Sequence, residues 1–122
     1  MENPAESPVD LAKLRETFTD LGAPAVFREL ITVFLRDTPE RLAALRRAAA
    51  AGNARAVRFA AHTLKGTCGY LGAQGLVRIC GELEALSGAG PVAPDLPLLA
   101  ELEAEFRRVQ AALEHELGEM PG

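Results

Sequence analysis

Residues 53–71 read NARAVRFAAHTLKGTCGYL, and the groups best suited to chemistry cluster around His62. Lys65 follows it at i+3, Gly66 at i+4 and Gly69 at i+7, while Arg58 precedes it at i−4. On a helix turning roughly 100° per residue these positions share one face. Val57, Ala60, Ala61, Leu64, Cys68 and Leu71 form the apolar stripe of the same segment. His62 lies roughly 150° from the centre of that stripe, so the pattern points it at solvent. A neutral imidazole is a good nucleophile near neutral pH, because its ordinary pKa is about 6.5. A phosphoryl group carried on such a ring would gain charge-assisted hydrogen bonds from Lys65, and from Arg58.

The two glycines add to this. On an exposed helix face each costs roughly 0.5–1 kcal/mol relative to alanine, and core packing asks for neither. Glycine at i+4 strips bulk from beside the imidazole and lets another protein's surface approach the ring. The same residues also fit a plainer reading: a surface histidine, a solvated lysine and two tolerated glycines. Spacing alone does not separate the two.

The elements that must position these residues are helical. Asp10 can cap a short helix to about Leu21 with Leu11, Leu14 and Phe18 on its apolar side. Pro24 fits the first turn of the next, which carries Phe27, Leu30, Ile31, Phe34, Leu35, Leu42 and Leu45 towards Ala51. Pro39 within it predicts a kink or break near Asp37–Thr38. Gly52 ends that helix and Asn53 can cap the one bearing His62. A further helix spans about 73–87 with Leu76, Ile79, Cys80, Leu83 and Leu86 as core positions. Residues 87–97, SGAGPVAPDLP, read as a loop, and a last helix over 98–117 uses Leu99, Leu102, Phe106, Val109 and Leu113. The expected fold is all-α: an up-down-up-down four-helix bundle over 9–118, with an additional short N-terminal helix and a flexible lead-in at 1–8.

With 122 residues there is room for one core and not comfortably for two. The chain has no Trp and one Tyr, and its apolar content is rich in Ala and Leu, which suits packed helices. A net charge of −4 argues against nucleic acid, although Arg36, Arg41, Arg46, Arg47, Arg55 and Arg58 give local basicity. No apolar run approaches the ~20 residues that span a bilayer, and the polar, acidic start lacks a signal-peptide pattern, so the expected location is the cytoplasm, with no membrane partner. Cys68 and Cys80 are expected as buried thiols rather than a disulfide.

The stretch AHTLKGTCGYLGAQGLVRICGELE, from Ala61 to Glu84, resembles the histidine-containing phosphotransfer (HPt) domains of bacterial, fungal and plant phosphorelays. Their pattern is A-H-x-L-K-G, a run of small residues, L-G, an apolar-spaced helix and an L-E ending. His62, Leu64, Lys65, Gly66, Leu71, Gly72, Leu76, Cys80, Leu83 and Glu84 stand where it puts them, and Phe34–Glu40 extends the likeness. The resemblance implies that His62 is the phospho-accepting nucleophile, Lys65 its supporting cation and Gly66 the clearance residue. Arg58 and Gly69 are secondary candidates. Many family members carry Gln where this chain has Glu84. A carboxylate there would orient the ring yet repel a phosphate, and a solvated helix charge is the competing reading.

The resemblance also implies the partners: receiver domains and a hybrid sensor histidine kinase. The acidic site and its Mg²⁺ would lie on the receiver, so no cofactor is expected on this chain. Phe59, Leu71, Ala73, Leu11, Leu14 and Phe18 are the candidate apolar docking residues. No P-loop or nucleotide motif is present, so the chain is expected to be a covalent carrier and not a kinase. His62 and Cys68 are too far apart in angle to share a metal, and no second ligand pair follows. His115, between Glu114 and Glu116, reads as a solvated residue. The competing class is a helical docking module without chemistry. The opening Met and polar lead-in favour a standalone protein, expected to be a monomer.

Overall fold

The computed structural model describes residues 7–119. Five helices occupy most of that span: α1 (Leu11–Asp20), α2 (Pro24–Ala50), α3 (Ala54–Tyr70), α4 (Gln74–Ala89) and α5 (Pro97–Glu119). No strand occurs among the described residues. Helix α3 packs on α2 and most extensively on α4, and α5 packs on both α4 and α2. These neighbours close a ring of four, which makes the architecture a four-helix bundle. Helix α1 lies against α2 as the extra N-terminal element.

Short connections force the antiparallel order. Between α2 and α3, Gly52 adopts φ +67°, and between α3 and α4 Gly72 does the same. That left-handed conformation lets the Asn53 N–H return to the Ala48 carbonyl at 2.9 Å, and the Ala73 N–H to Cys68 at 3.0 Å. Each turn thus satisfies the carbonyls of the helix it ends and reverses the chain within three residues. Asn53 also caps α3, its side-chain oxygen accepting from the Ala56 N–H at 3.1 Å. Asp10 caps α1 in the same way through Lys13.

The core is built from the predicted stripes. Val57, Ala61, Leu64 and Cys68 of α3 are buried against Leu76, Ile79, Cys80 and Leu83 of α4 and the inward faces of α2 and α5. Each fully buried Leu, Ile or Phe contributes about 1.5–3 kcal/mol of transfer free energy. Both cysteines are free thiols. Cross-bundle ion pairs add orientation: Arg46 of α2 holds Glu103 of α5 and also donates to the Pro94 carbonyl at 3.0 Å. Arg15 of α1 grips the buried Glu116 of α5, fastening the short helix across the bundle.

Three expectations are corrected. Of the kink or break expected at Pro39, the break is absent: α2 continues from Pro24 to Ala50. Ile31 and Phe34 before the proline, and Leu42 and Leu45 after it, are all buried, so packing on both flanks outweighs the roughly 3 kcal/mol that an interior proline costs through its lost backbone bond and ring clash. Leu86 is about half exposed, and Ser87 is buried instead. The Ser87 hydroxyl donates to the Leu83 carbonyl at 2.8 Å, which lets a polar residue occupy the α4 stripe. That stripe also extends α4 to Ala89, two residues past its expected end at Ser87. Of the lead-in at 1–8, residues 1–6 lie outside the described residues, while Ser7 is exposed and Pro8 is buried, as is Val9 at the start of the expected domain. No helix among the described residues is long and apolar enough to cross a membrane.

Candidate functional site

Helix α3 is exposed along the face opposite its apolar stripe. His62, midway along the helix, has a side chain 67% exposed. Arg58, Phe59, Gly66, Gly69 and Tyr70 are exposed beside it, and Lys65 is part-buried towards α4. A Cβ added at Gly66 or at Gly69 would meet nothing within 4 Å. Neither glycine is therefore demanded by packing inside the chain, and both leave open space next to the ring.

Helix α4 supplies the residue that joins this face together. Glu84 projects between the two α3 side chains, with Oε2 2.8 Å from His62 Nδ1 and Oε1 2.6 Å from Lys65 Nζ. The two hydrogen bonds hold its carboxyl below the usual carboxylate range, that from Lys65 more strongly than that from His62. At neutral pH it is a carboxylate and can only accept. Nδ1 must then donate, so a neutral His62 ring carries its proton on Nδ1 and its lone pair on Nε2. Among the described residues no group engages Nε2. The ring is thus oriented and left with a nucleophilic nitrogen free to react.

An open depression of about 380 Å³ runs beside this triad, lined by Arg58, Lys65, Gly81, Glu84, Ala85 and Gly88. Apart from Glu84, its α4 wall is built of the small residues Gly81, Ala85 and Gly88, which leaves room beside Arg58 and the Lys65–Glu84 pair. On the other side of His62, towards α2, a smaller depression of about 290 Å³ is lined by Arg41, Ala44, Ala48, Ala56, Phe59, Ala60 and Thr63. The two depressions therefore differ in character: charged towards α4, largely apolar towards α2.

The structure brings His62, Lys65 and Glu84 together, and sets Arg58, Gly66 and Gly69 around them. It separates the expected docking residues. Phe59 is 73% exposed, but Leu71 and Ala73 are wholly buried and Leu14 nearly so. Leu71 and Ala73 flank the Gly72 turn, whose reversal points both into the core. Leu11 and Phe18 are partly buried, with Phe18 stacked on Phe27 at a centroid distance of 5.5 Å. Tyr70, 74% exposed on the same side of α3 as Phe59 and Gly66, was not anticipated. Its position eight residues after His62 would have placed it there. His115 is exposed at the far end of α5. No cluster of three potential metal-ligating side chains occurs among the described residues.

The family model described as Hpt domain matches residues 29–112, which include α3, α4 and the Glu84 contact. No curated protein matches the chain. Among solved structures, histidine-containing phosphotransfer protein B (HptB) from Pseudomonas aeruginosa PAO1 superposes with a TM-score of 0.84 at 28% identity. That match covers 95% of this chain and 99% of the other. The HPT domain of an Hpt sensor hybrid histidine kinase from Shewanella shares the fold, with a TM-score of 0.71 at 20% identity over 89% and 95% of the two chains. By the family match over most of its length, the chain belongs to the Hpt domain family of phosphorelay phosphotransfer modules.

Proposed function

We propose that His62 accepts a phosphoryl group from the aspartyl phosphate of one receiver domain and delivers it to the aspartate of another. The observation that carries this reading is the Nδ1 contact to Glu84, which orients an exposed ring with Nε2 as its free nucleophile. In the forward step the Nε2 lone pair attacks phosphorus, and the aspartyl O–P bond breaks with its electrons returning to the carboxylate. Lys65, 37% exposed, turns part of its charge towards the transferred group. Gly66 and Gly69 admit the receiver's surface to the ring. Phe59 and Tyr70 supply apolar contact area, and the docking is small and transient.

In this reading the chain carries a nucleophile, a cation and a docking face, while Mg²⁺ and the acidic site belong to the receiver. It acts as a cytoplasmic monomer that is covalently loaded and has no kinase activity of its own. A hybrid sensor histidine kinase is the expected upstream partner, in keeping with the source of the Shewanella domain. The test is incubation with phosphorylated receiver domains, followed by assay for an acid-labile, base-stable phosphate on the chain. Wild type is expected to label and His62→Gln to remain unlabelled. Equal labelling of both would remove His62 from the role. Binding of receivers without any labelling would favour a docking module.

A further inference from the structure

A carboxylate under the ring does more than orient it. When Nε2 takes a phosphoryl group from neutral imidazole, Nδ1 keeps its proton and the ring becomes a phosphoimidazolium cation. In water that proton is lost readily, leaving a neutral phosphoimidazole whose departure would expel an imidazolate, a poor leaving group. With the proton retained, the leaving group is neutral imidazole. We propose, building on the carrier role of His62, that Glu84 holds the proton on Nδ1 of the phosphorylated ring and so keeps the phosphoryl group ready to leave. Glu84 is thus a positioning residue that sets how good a donor the loaded protein is.

Two features of the geometry support this. The Glu84 carboxylate is divided between Nδ1 at 2.8 Å and the Lys65 ammonium at 2.6 Å, so it lies against the atom that carries the decisive proton. Lys65 is also shared: while it pairs with Glu84 it is not fully committed to a phosphoryl group, which disfavours storing one. The other charged or titratable groups facing the carboxylate are Arg58 from α3 and Cys80 from α4. Burial pushes the Cys80 thiol up to about 12, so it stays neutral and does not compete for the proton.

The outgoing step balances simply. The Nε2–P bond breaks with its electron pair passing to Nε2, the phosphoryl group passes to an acceptor oxygen, and neutral imidazole with Nδ1–H remains. With water as acceptor, the water proton goes to solvent and inorganic phosphate is released. With a receiver as acceptor, the oxygen is its aspartate.

The experiment needs no cognate receiver. Wild type and Glu84→Gln are phosphorylated with phosphoramidate, a small N–P donor, and loss of phosphate is followed by ³¹P NMR between about pH 6 and pH 9. Glutamine keeps the size and the hydrogen-bond acceptor but removes the charge. Glu84→Gln is expected to lose phosphate about three- to tenfold more slowly at the alkaline end, with its acid-accelerated limb displaced to lower pH. Ring ¹⁵N shifts of the phosphorylated proteins give a second measurement: Nδ1 protonated in wild type at a pH where it is deprotonated in the variant. Matching profiles and matching Nδ1 states would overturn the role of Glu84 while leaving the carrier reading intact. Failure of wild type to label with both phosphoramidate and phosphorylated receivers would overturn the carrier reading itself.

Discussion

Lys65 reaches from α3 to α4 and places its ammonium 2.6 Å from the carboxylate of Glu84, the same group that binds His62. The bridge makes charge balance at the site a property of two helices rather than one. It also ties the site to acid. Glu84 is held below its ordinary value of 4.5, first by Lys65 and then by His62. A carboxyl lowered on folding stabilises the protein above its unfolded pKa, and that contribution is lost as pH falls through the folded one. Urea unfolding of wild type and Glu84→Gln should therefore show a stability gap at neutral pH that closes as pH falls below ~pH 4. A gap that persists undiminished at about pH 2 would contradict the assignment.

Gly66 offers a separation of stability from function. Its Cβ position opens onto empty space, so Gly66→Ala should stabilise the folded state by about 0.5–1 kcal/mol through its helix propensity. Gly66→Leu should fold equally well yet lower kcat/KM for phosphotransfer roughly tenfold or more, because its bulk displaces the receiver from Nε2. Thermal melts paired with transfer kinetics measure both. Undiminished transfer by the leucine variant would show that clearance at Gly66 is not required.

Phe59, three residues before His62, lines the depression towards α2 and is 73% exposed. Phe59→Ala should leave unfolding free energy within about 0.5 kcal/mol of wild type. Its effect should fall on KM for a receiver, raised about fivefold with kcat unchanged, as expected for the loss of a modest interface contact. A fall in kcat instead would place Phe59 in the chemical step.

Cys68 and Cys80 face each other across the α3–α4 interface, and burial pushes both thiols up to about 12. Since thiolate is the reactive form, the native protein should resist iodoacetamide at about pH 8 and take two labels once unfolded. Mass spectrometry before and after denaturation reads this directly. Rapid native labelling of either residue would mean that the helix pair opens readily.

Much of this molecule is legible in order of residues alone. The helix count, the caps at Asp10 and Asn53, the turns at Gly52 and Gly72, and the outward direction of His62 all follow from local rules of period, capping and backbone freedom. Those rules act within one or two turns of chain, and tertiary packing here agrees with them. Where packing and local rules compete, the sequence misleads: Pro39 sits inside a continuous helix because buried residues on both sides hold it there. Leu86 yields its stripe position to Ser87, whose hydroxyl finds a carbonyl one turn back. Leu71 and Ala73 look available beside the site but are turned inward by the reversal at Gly72.

Glu84 marks the boundary between the two kinds of information. It lies 22 residues from His62, and nothing in the spacing of either helix says that its carboxylate meets Nδ1 and the Lys65 ammonium together. On the sequence it reads equally as a solvated charge. Which nitrogen of His62 is left free, and with what charge beneath the ring, is decided by how α3 and α4 pack. That packing is set by Leu64, Cys68, Ile79, Cys80 and Leu83, none of which takes part in the chemistry. The sequence by itself determined that an exposed histidine would be carried on a helical bundle. Only the tertiary structure, by bringing two helices into register, decided the state of its ring.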